Sequence, residues 1–317
     1  MASSSNSLVA TLIANPSRPV LTDEVVAGAA AALGQETERS ILASRIAADL
    51  IVPAPAEAKA VEAALRRALD GQPVDIVVQP LATRRKRLFL ADMDSTMIGQ
   101  ECIDELADYV GLKKEVSEIT ERAMRGEIAF EPALRERVAL LKNLPVNVVD
   151  EIIEKRITLT PGGRALVQTM RANGAYTCLV SGGFTLFTGP IGAKIGFNEH
   201  RSNHLILDGE TLAGQVEEPI LGREAKLATL IDLRTRFGLG HHETMAVGDG
   251  ANDLAMLGEA GLGVAFHAKP AVAAAAHARI DHADLSALLY AQGYREGEIV
   301  TAPALMVPGA AFAVSLE

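Results

Sequence analysis

Tryptophan is absent, and aromatic residues fill only 4% of the 317 positions. A core must therefore come mainly from Ala, Leu, Val and Ile, within a hydrophobic share of 49%. The length suits one large domain or two modest ones. Cysteine is scarce as well, with only Cys102 and Cys178. Two thiols cannot make a disulfide framework, and both are expected to be reduced and buried in a cytoplasmic protein. No stretch approaches the roughly 18 unbroken apolar residues of a membrane span. The opening residues, MASSSNSLVATLIANP, lack the basic start and long apolar run of a secretory leader. Positive charge is in deficit, 30 Lys and Arg against 40 Asp and Glu, for a net charge of -10. That balance argues against nucleic acid or an anionic membrane as a partner. A small anionic ligand stays compatible, because a local site can be positive on an acidic protein. The basic run TRRKR at 83–87 reads as a solvated linker leading into a strand.

The first 82 residues read as a small α+β unit. Residues 8–14 (LVATLIA) and 74–80 (VDIVVQP) are strand-like, and 39–52 contain one further strand. Helices are expected over 22–33, after a Thr/Asp cap signal, and over 55–69. The resulting β-α-β-α-β order suggests a ferredoxin-like sheet with helices on one side. Residues 100–158 are charged and helical, with four segments: ECIDELADYVG, KKEVSEITERAMRG, FEPALRERVALLKNL and VNVVDEIIEKRI. Beyond Pro161 the pattern alternates. Strands are expected at 175–183, 244–248, 262–266 and 279–281, and helices at 164–173, 222–237, 252–260, 270–278 and 284–291. A hairpin over 205–217 turns at Asp208 and Gly209. Apolar strands alternating with helices give a doubly wound parallel sheet, and ligands bind at the carboxyl ends of its strands. The end of the chain, 302–314, is broken by Pro303, Pro308 and Gly309 and reads as a tail, packed on the body or loosely ordered.

The chemistry gathers at those strand ends. An apolar strand, LFLA, delivers Asp92 and Asp94, two carboxylates two positions apart. Paired acids at the end of a buried strand repel each other and lose hydration. They make sense where a divalent cation and a phosphoryl group complete the site. Asp92 is then a nucleophile toward phosphorus, and Asp94 protonates the departing alkoxide and later takes a proton from water. Ser181 and Gly182, at the end of another strand, offer a hydroxyl and a backbone N–H to phosphoryl oxygens. A cation is needed to balance carboxylates and phosphate, while a lone helix lysine such as Lys226 is ordinarily solvated. His200, His204, His241 and His242 fall on loops in this reading, without cysteine partners at ligand spacing, so no zinc site is expected.

The run Asp92-Met93-Asp94-Ser95-Thr96 resembles the first motif of the haloacid-dehalogenase (HAD) phosphohydrolases, in its phosphoserine phosphatase form. Gly248-Asp249-Gly250-Ala251-Asn252-Asp253 resembles the metal-binding motif of the same superfamily. The position of Lys226 after the hairpin suits the family pattern, and the resemblance implies that it is the balancing cation. The likeness covers about residues 85–295. It implies a Rossmann-like HAD core at 83–99 and 159–297, a helical cap at 100–158 and an ACT-like domain at 1–82. A tail follows at 298–317. The ACT-like unit either binds an amino acid or only packs, and a homodimer through it is open.

The resemblance also implies an activity: Mg²⁺-dependent hydrolysis of O-phospho-L-serine through an aspartyl-phosphate, the last step of L-serine biosynthesis. One Mg²⁺ per site would be held by Asp92, Asp249 and the backbone carbonyl of Asp94, with Asp253 orienting Lys226 and metal-bound water. Glu101 would receive the substrate ammonium, and Arg137 its carboxylate through a two-pronged contact. Met124 and Phe130 would cover the substrate, and Asn252 would add a polar contact. Two rivals stay open. One passes the phosphoryl group to another alcohol, such as homoserine. The other is a phospho-accepting receiver module, against which Asp94 and the 100–158 insertion argue.

Overall fold

Strand Leu8–Ala14 (β1) is buried along its whole length, and that single feature explains how the chain is assembled. The computed structural model describes residues 7–124 and 127–301. The expected tail at 302–314 lies outside them. Within them β1 is followed by α1 (Asp23–Ala31), β2 (Glu38–Ala43), β3 (Ala47–Val52), α2 (Ala58–Ala68) and β4 (Val74–Pro80). The sheet is antiparallel, in the order β2-β3-β1-β4. One face packs on its own helices through Leu12, Leu50, Leu65 and Ile76. The other face sends Ile13, Ala43, Ala47 and Val77 into the main core of the rest of the chain. A strand covered on both sides can be apolar throughout.

Two expectations for this unit need correction. The segment 39–52 holds two strands, so the order is βαββαβ. Its turn carries no Gly or Asn-Gly signal; Arg45 takes the left-handed conformation there, at φ 59°. The run at 83–87 is also not simply solvated. Arg84 pairs with buried Asp49 at 2.6 Å, and Arg85 lies 3.4 Å over the ring of Tyr294. Lys86 is buried, its ammonium donating to the carbonyls of Thr83 and His242. Asp75 completes the joint: its carboxylate accepts the backbone N–H groups of Asp281, His282 and Ala283.

The larger sheet is wholly parallel, in the order β12-β11-β10-β5-β6-β7. Its strands are β5 (Leu88–Ala91), β6 (Tyr176–Phe184), β7 (Glu199–Asn203), β10 (Thr244–Gly248), β11 (Leu262–Phe266) and β12 (Ala278–Ile280). Helices α7 (Gly163–Ala172), α8 (Thr185–Ile195), α9 (Arg223–Arg236), α10 (Leu254–Glu259), α11 (Pro270–Ala275) and α12 (Ala287–Ala291) cover it. From β5 the chain runs outward first to β6 and β7, and later to β10. The crevice beside β5 is thus a topological switch point, where such sheets hold ligands. Helix α8 and strand β7 went unread in the sequence, and His200 lies in that strand rather than a loop.

Four helices are inserted after β5: α3 (Cys102–Tyr109), α4 (Lys113–Met124), α5 (Phe130–Ala139) and α6 (Asn147–Lys155). Two adjacent linkers carry them. Gly99 N–H donates to Thr158 O, Thr160 N–H to Met97 O, and the Gln100 amide bonds the Thr158 hydroxyl and N–H. The hairpin β8 (Leu205–Asp208) and β9 (Thr211–Val216) joins this insertion. Leu212 exchanges backbone hydrogen bonds with Asn143 and Leu144, and Val146 N–H donates to Glu210 O. Among the described residues no helix is long and apolar enough to cross a membrane.

Candidate active site

Asp92 stands one residue past β5 and extends its ladder, donating its N–H to Val247 O. Its Oδ1 accepts the Met93 N–H at 2.8 Å. The chain then turns sharply over Met93–Met97, with Ser95 left-handed at φ 53°. This turn aims Asp94 back across the strand ends. One Asp94 oxygen accepts the Cys102 N–H at 3.0 Å, at the start of α3. The other accepts the Ser181 hydroxyl at 3.4 Å, and that hydroxyl in turn accepts the Gly183 N–H at 2.9 Å.

Lys226 comes from α9, on the face turned to the sheet. It is 1% exposed, and its ammonium lies 2.7 Å from both Asp92 Oδ1 and Asp253 Oδ1. Asp253 is fully buried, and its second oxygen accepts the Gly250 N–H. Gly248 is required for this approach, since a Cβ there would fall inside the Asp253 carboxylate. Asp249 follows β10 and accepts the Thr96 hydroxyl at 3.3 Å. Asn252 is exposed in the short turn that carries Asp253.

The local charge is lopsided: Asp92, Asp94, Asp249, Asp253 and Glu101 gather round one lysine. Burial and the charge of Asp253 push Asp92 well above the ordinary carboxylate range, against the pull of Lys226. Burial raises Asp94, against the donated N–H of Cys102. Burial and Asp253 raise Asp249. Burial alone would depress Lys226, but Asp92 and Asp253 outweigh it and hold the ammonium charged. Oxygens of Asp92, Asp249 and Asp253 lie within 4.8 Å of one another. An excess of hard oxygen donors around one ammonium fits a divalent cation.

Toward the helical insertion, Glu101 accepts the Ser95 hydroxyl at 2.6 Å. The residue is exposed, yet the protein packed round its carboxyl desolvates it and, with Asp94, pushes it up to about 7. Phe130, at the start of α5, is 40% exposed. A Cβ added at Gly182 would come 3.5 Å from its ring, and one at Gly222 would come 3.4 Å from it. The ring therefore lies over both glycines. Arg137 is half-buried in α5, donating to Ala133 O and the Thr120 hydroxyl. Among the described residues it has no carboxylate within ion-pair distance. Burial draws its pKa down, against the charges of Asp104 and Glu101. Met124 ends α4, and its side chain lies outside the described residues.

Direct contacts thus link Asp92, Lys226 and Asp253, and likewise Asp94 with Ser181. Phe130 reaches Gly182, while Arg137 faces the cluster only at a distance. Sequence reasoning passed over Thr96 as a partner of Asp249, and it missed Asn203 altogether. Asn203 is buried at the end of β7, and its amide bonds Gly182 O and both backbone groups of Leu221. Nothing in the local pattern marks it.

A parallel α/β sheet with an acidic cluster at its switch point places the candidate site where such folds hold their ligands. The chain belongs to the haloacid dehalogenase-like hydrolases, whose family model matches residues 89–258. It is similar to the phosphoserine phosphatase SerB2 of Mycobacterium tuberculosis, 42% identical over 244 residues, which are 76% of this chain and 59% of that protein. A HAD family hydrolase from Salmonella enterica serovar Typhi superposes with a TM-score of 0.81 at 28% identity, over 90% of this chain and 98% of its own. A structure described as a phospho-aspartyl intermediate analogue of phosphoserine phosphatase superposes with a TM-score of 0.60 at 40% identity, over 65% of this chain and 98% of its own. The chain spans 59% and 62% of the length of two of the curated relatives it matches.

Proposed function

We propose that this protein is a phosphoserine phosphatase that hydrolyses O-phospho-L-serine to L-serine and phosphate, the last step of L-serine biosynthesis, with one Mg²⁺ per active site. The observation that carries the reading is Lys226, buried between Asp92 and Asp253 at 2.7 Å from each. A buried ammonium between two acids at a strand end has little structural use. It has a clear use beside an anionic phosphoryl group. Asp92 attacks phosphorus and forms an acyl phosphate as the ester P–O bond breaks. Asp94 gives its proton to the departing serine oxygen, then takes one from the water that cleaves the acyl phosphate and frees Asp92. The raised pKa of Asp94 supports the first of these roles. Ser181, Gly182 and Lys226 hold the phosphoryl oxygens.

Asp92, Asp249 and the Asp94 carbonyl would hold the metal, and Asp253 orients Lys226. When bound, Mg²⁺ supplies the positive charge that lets the clustered carboxylates ionise together and draws electron density from the phosphoryl oxygens. Glu101 takes the substrate ammonium and Arg137 its carboxylate; Met124 and Phe130 exclude water, and Asn252 adds a polar contact. The reading divides the chain into an ACT-like unit at 1–82, a HAD core at 83–99 and 159–297, a cap at 100–158 and a tail at 298–317. It places the enzyme in the cytoplasm. A homodimer through the N-terminal unit is consistent with edge strand β2, where Ile41 is 43% exposed. The deciding assay is phosphate release from O-phospho-L-serine with Mg²⁺. Wild type should turn over and Asp92→Asn should not; an inactive wild type refutes the reading.

A further inference from the structure

We infer that Asn203 is a positioning residue, a clamp that fixes the spacing of the phosphoryl-binding wall. The inference rests on the proposed reading of Ser181, Gly182 and Lys226. Asn203 is 3% exposed, and its amide is fully engaged. Nδ2 donates to Gly182 O at 2.8 Å and to Leu221 O at 3.2 Å, while Oδ1 accepts the Leu221 N–H at 2.6 Å. Gly182 adjoins Ser181. Leu221 adjoins Gly222, where α9 begins and whose carbonyl accepts the Lys226 N–H. One side chain thus sets the spacing between the two arms that would grip the phosphoryl group.

The same side chain sits at the root of the β8–β9 hairpin, which leaves the core after Asn203 and returns before Leu221. The hairpin's far end is hydrogen-bonded to the α5–α6 connection through Asn143, Leu144 and Val146. A displacement of the helical insertion would therefore pull on the hairpin. With its root tied, that pull does not reach Ser181 or Lys226. Without the amide, two half-buried carbonyls and one N–H lose this partner, and the tie between the two arms is gone.

The test uses the full chain with Mg²⁺ and two variants, Asn203→Ala and Asn203→Asp. Inhibition by orthovanadate reads the phosphoryl wall, and inhibition by L-serine reads the insertion side. The clamp predicts that kcat/KM and vanadate affinity fall together, by about tenfold or more, while L-serine inhibition stays within about twofold. Asn203→Asp should regain activity relative to wild type as pH falls, because a protonated carboxyl can donate to Gly182 O as the amide does. Equal loss of vanadate and L-serine binding, or loss of neither, overturns the clamp while leaving the phosphatase reading intact. If Asn203→Ala does not fold, Asn203→Asp gives the same readouts. A wild type that releases no phosphate refutes the underlying reading instead.

Discussion

Lys226 and Asp92 are buried together, ammonium to carboxylate at 2.7 Å, with side chains 1% and 6% exposed. Taking both charges out of water costs several kcal/mol each, and a pair rarely recovers that cost in full. Here the lysine is shared with Asp253, so one cation faces two anions. The site is left short of positive charge, which a bound cation would supply.

Removing the lysine should therefore cost both stability and activity. Lys226→Met leaves Asp92 and Asp253 facing each other without compensation. We expect about 3–5 kcal/mol of lost stability and a fall in kcat/KM of roughly a thousandfold or more. Asp92→Asn should be equally inactive, yet in metal-free protein it should melt no lower than wild type, because it removes one of the crowded negative charges. Urea titration and phosphate release measure the two effects.

Metal should act in the opposite direction. Mg²⁺ binds only the folded acidic cluster, so it should raise the melting temperature of wild type, by about 2.7 kcal/mol of stabilisation at a hundredfold excess over its dissociation constant. Asp249→Asn should lose most of that shift. A chelator should abolish phosphate release, and added Mg²⁺ should restore it. A chelated sample that still turns over would count against the metal.

The elements around the site were legible for a physical reason. β5, β10 and β11 are short apolar runs with both faces covered. Lys226 became readable only in company with the acids, since a lone lysine on a helix is ordinarily solvated. Helix α8 was hidden because Gly189, Pro190 and Gly192 lie inside it. It forms anyway because Phe187, Ile191 and Ile195 are buried against the sheet. β7 reads EHRSN, too polar to announce a strand, as suits the edge of a sheet. Asn203 was beyond reach because its partners, at 182 and 221, are brought to it by the fold.

Arg137 should separate substrates by their carboxylate. With no carboxylate of the protein in ion-pair range among the described residues, the N–H groups not given to Ala133 O and the Thr120 hydroxyl are available to a ligand carboxylate. Arg137→Ala should raise KM for O-phospho-L-serine by about tenfold to a hundredfold, the range of a charge-assisted hydrogen bond. O-phosphoethanolamine, which lacks the carboxylate, should be hydrolysed by variant and wild type with similar KM. Steady-state kinetics on the two substrates decide this, and an equal loss on both would sink the assignment.

Asp75 should be the strongest single tie across the joint between the two sheets. Its carboxylate satisfies the N–H groups of Asp281, His282 and Ala283, next to β12. Asp75→Ala leaves all three without that acceptor, which should cost about 3 kcal/mol or more in stability. Asp75→Asn keeps one strong acceptor and should cost less. Denaturant unfolding of the full chain gives both numbers. A loss below about 1 kcal/mol for Asp75→Ala would show that water replaces the carboxylate easily.

Lys86 gives the protein a stability that rises with pH on the alkaline side. Its ammonium is buried and donates to Thr83 O and His242 O, with no carboxylate partner among the described residues. Burial lowers its pKa from 10.5 to about 8 in the folded chain. Below about pH 8 the lysine is charged in both states, and the folded protein bears the whole cost of burying it. Between about 8 and 10.5 the folded state has released the proton while the unfolded chain still holds it. The unfolded state then binds more protons, so this group's contribution to stability rises with pH, by up to about 1.4 kcal/mol per unit. Lys86→Met removes the titration, so its stability should climb less steeply than wild type from pH 8 to 10. The difference in slope isolates Lys86 from every other group, since those are common to both proteins. Parallel slopes from urea unfolding would mean that the ammonium keeps its proton through contact with water.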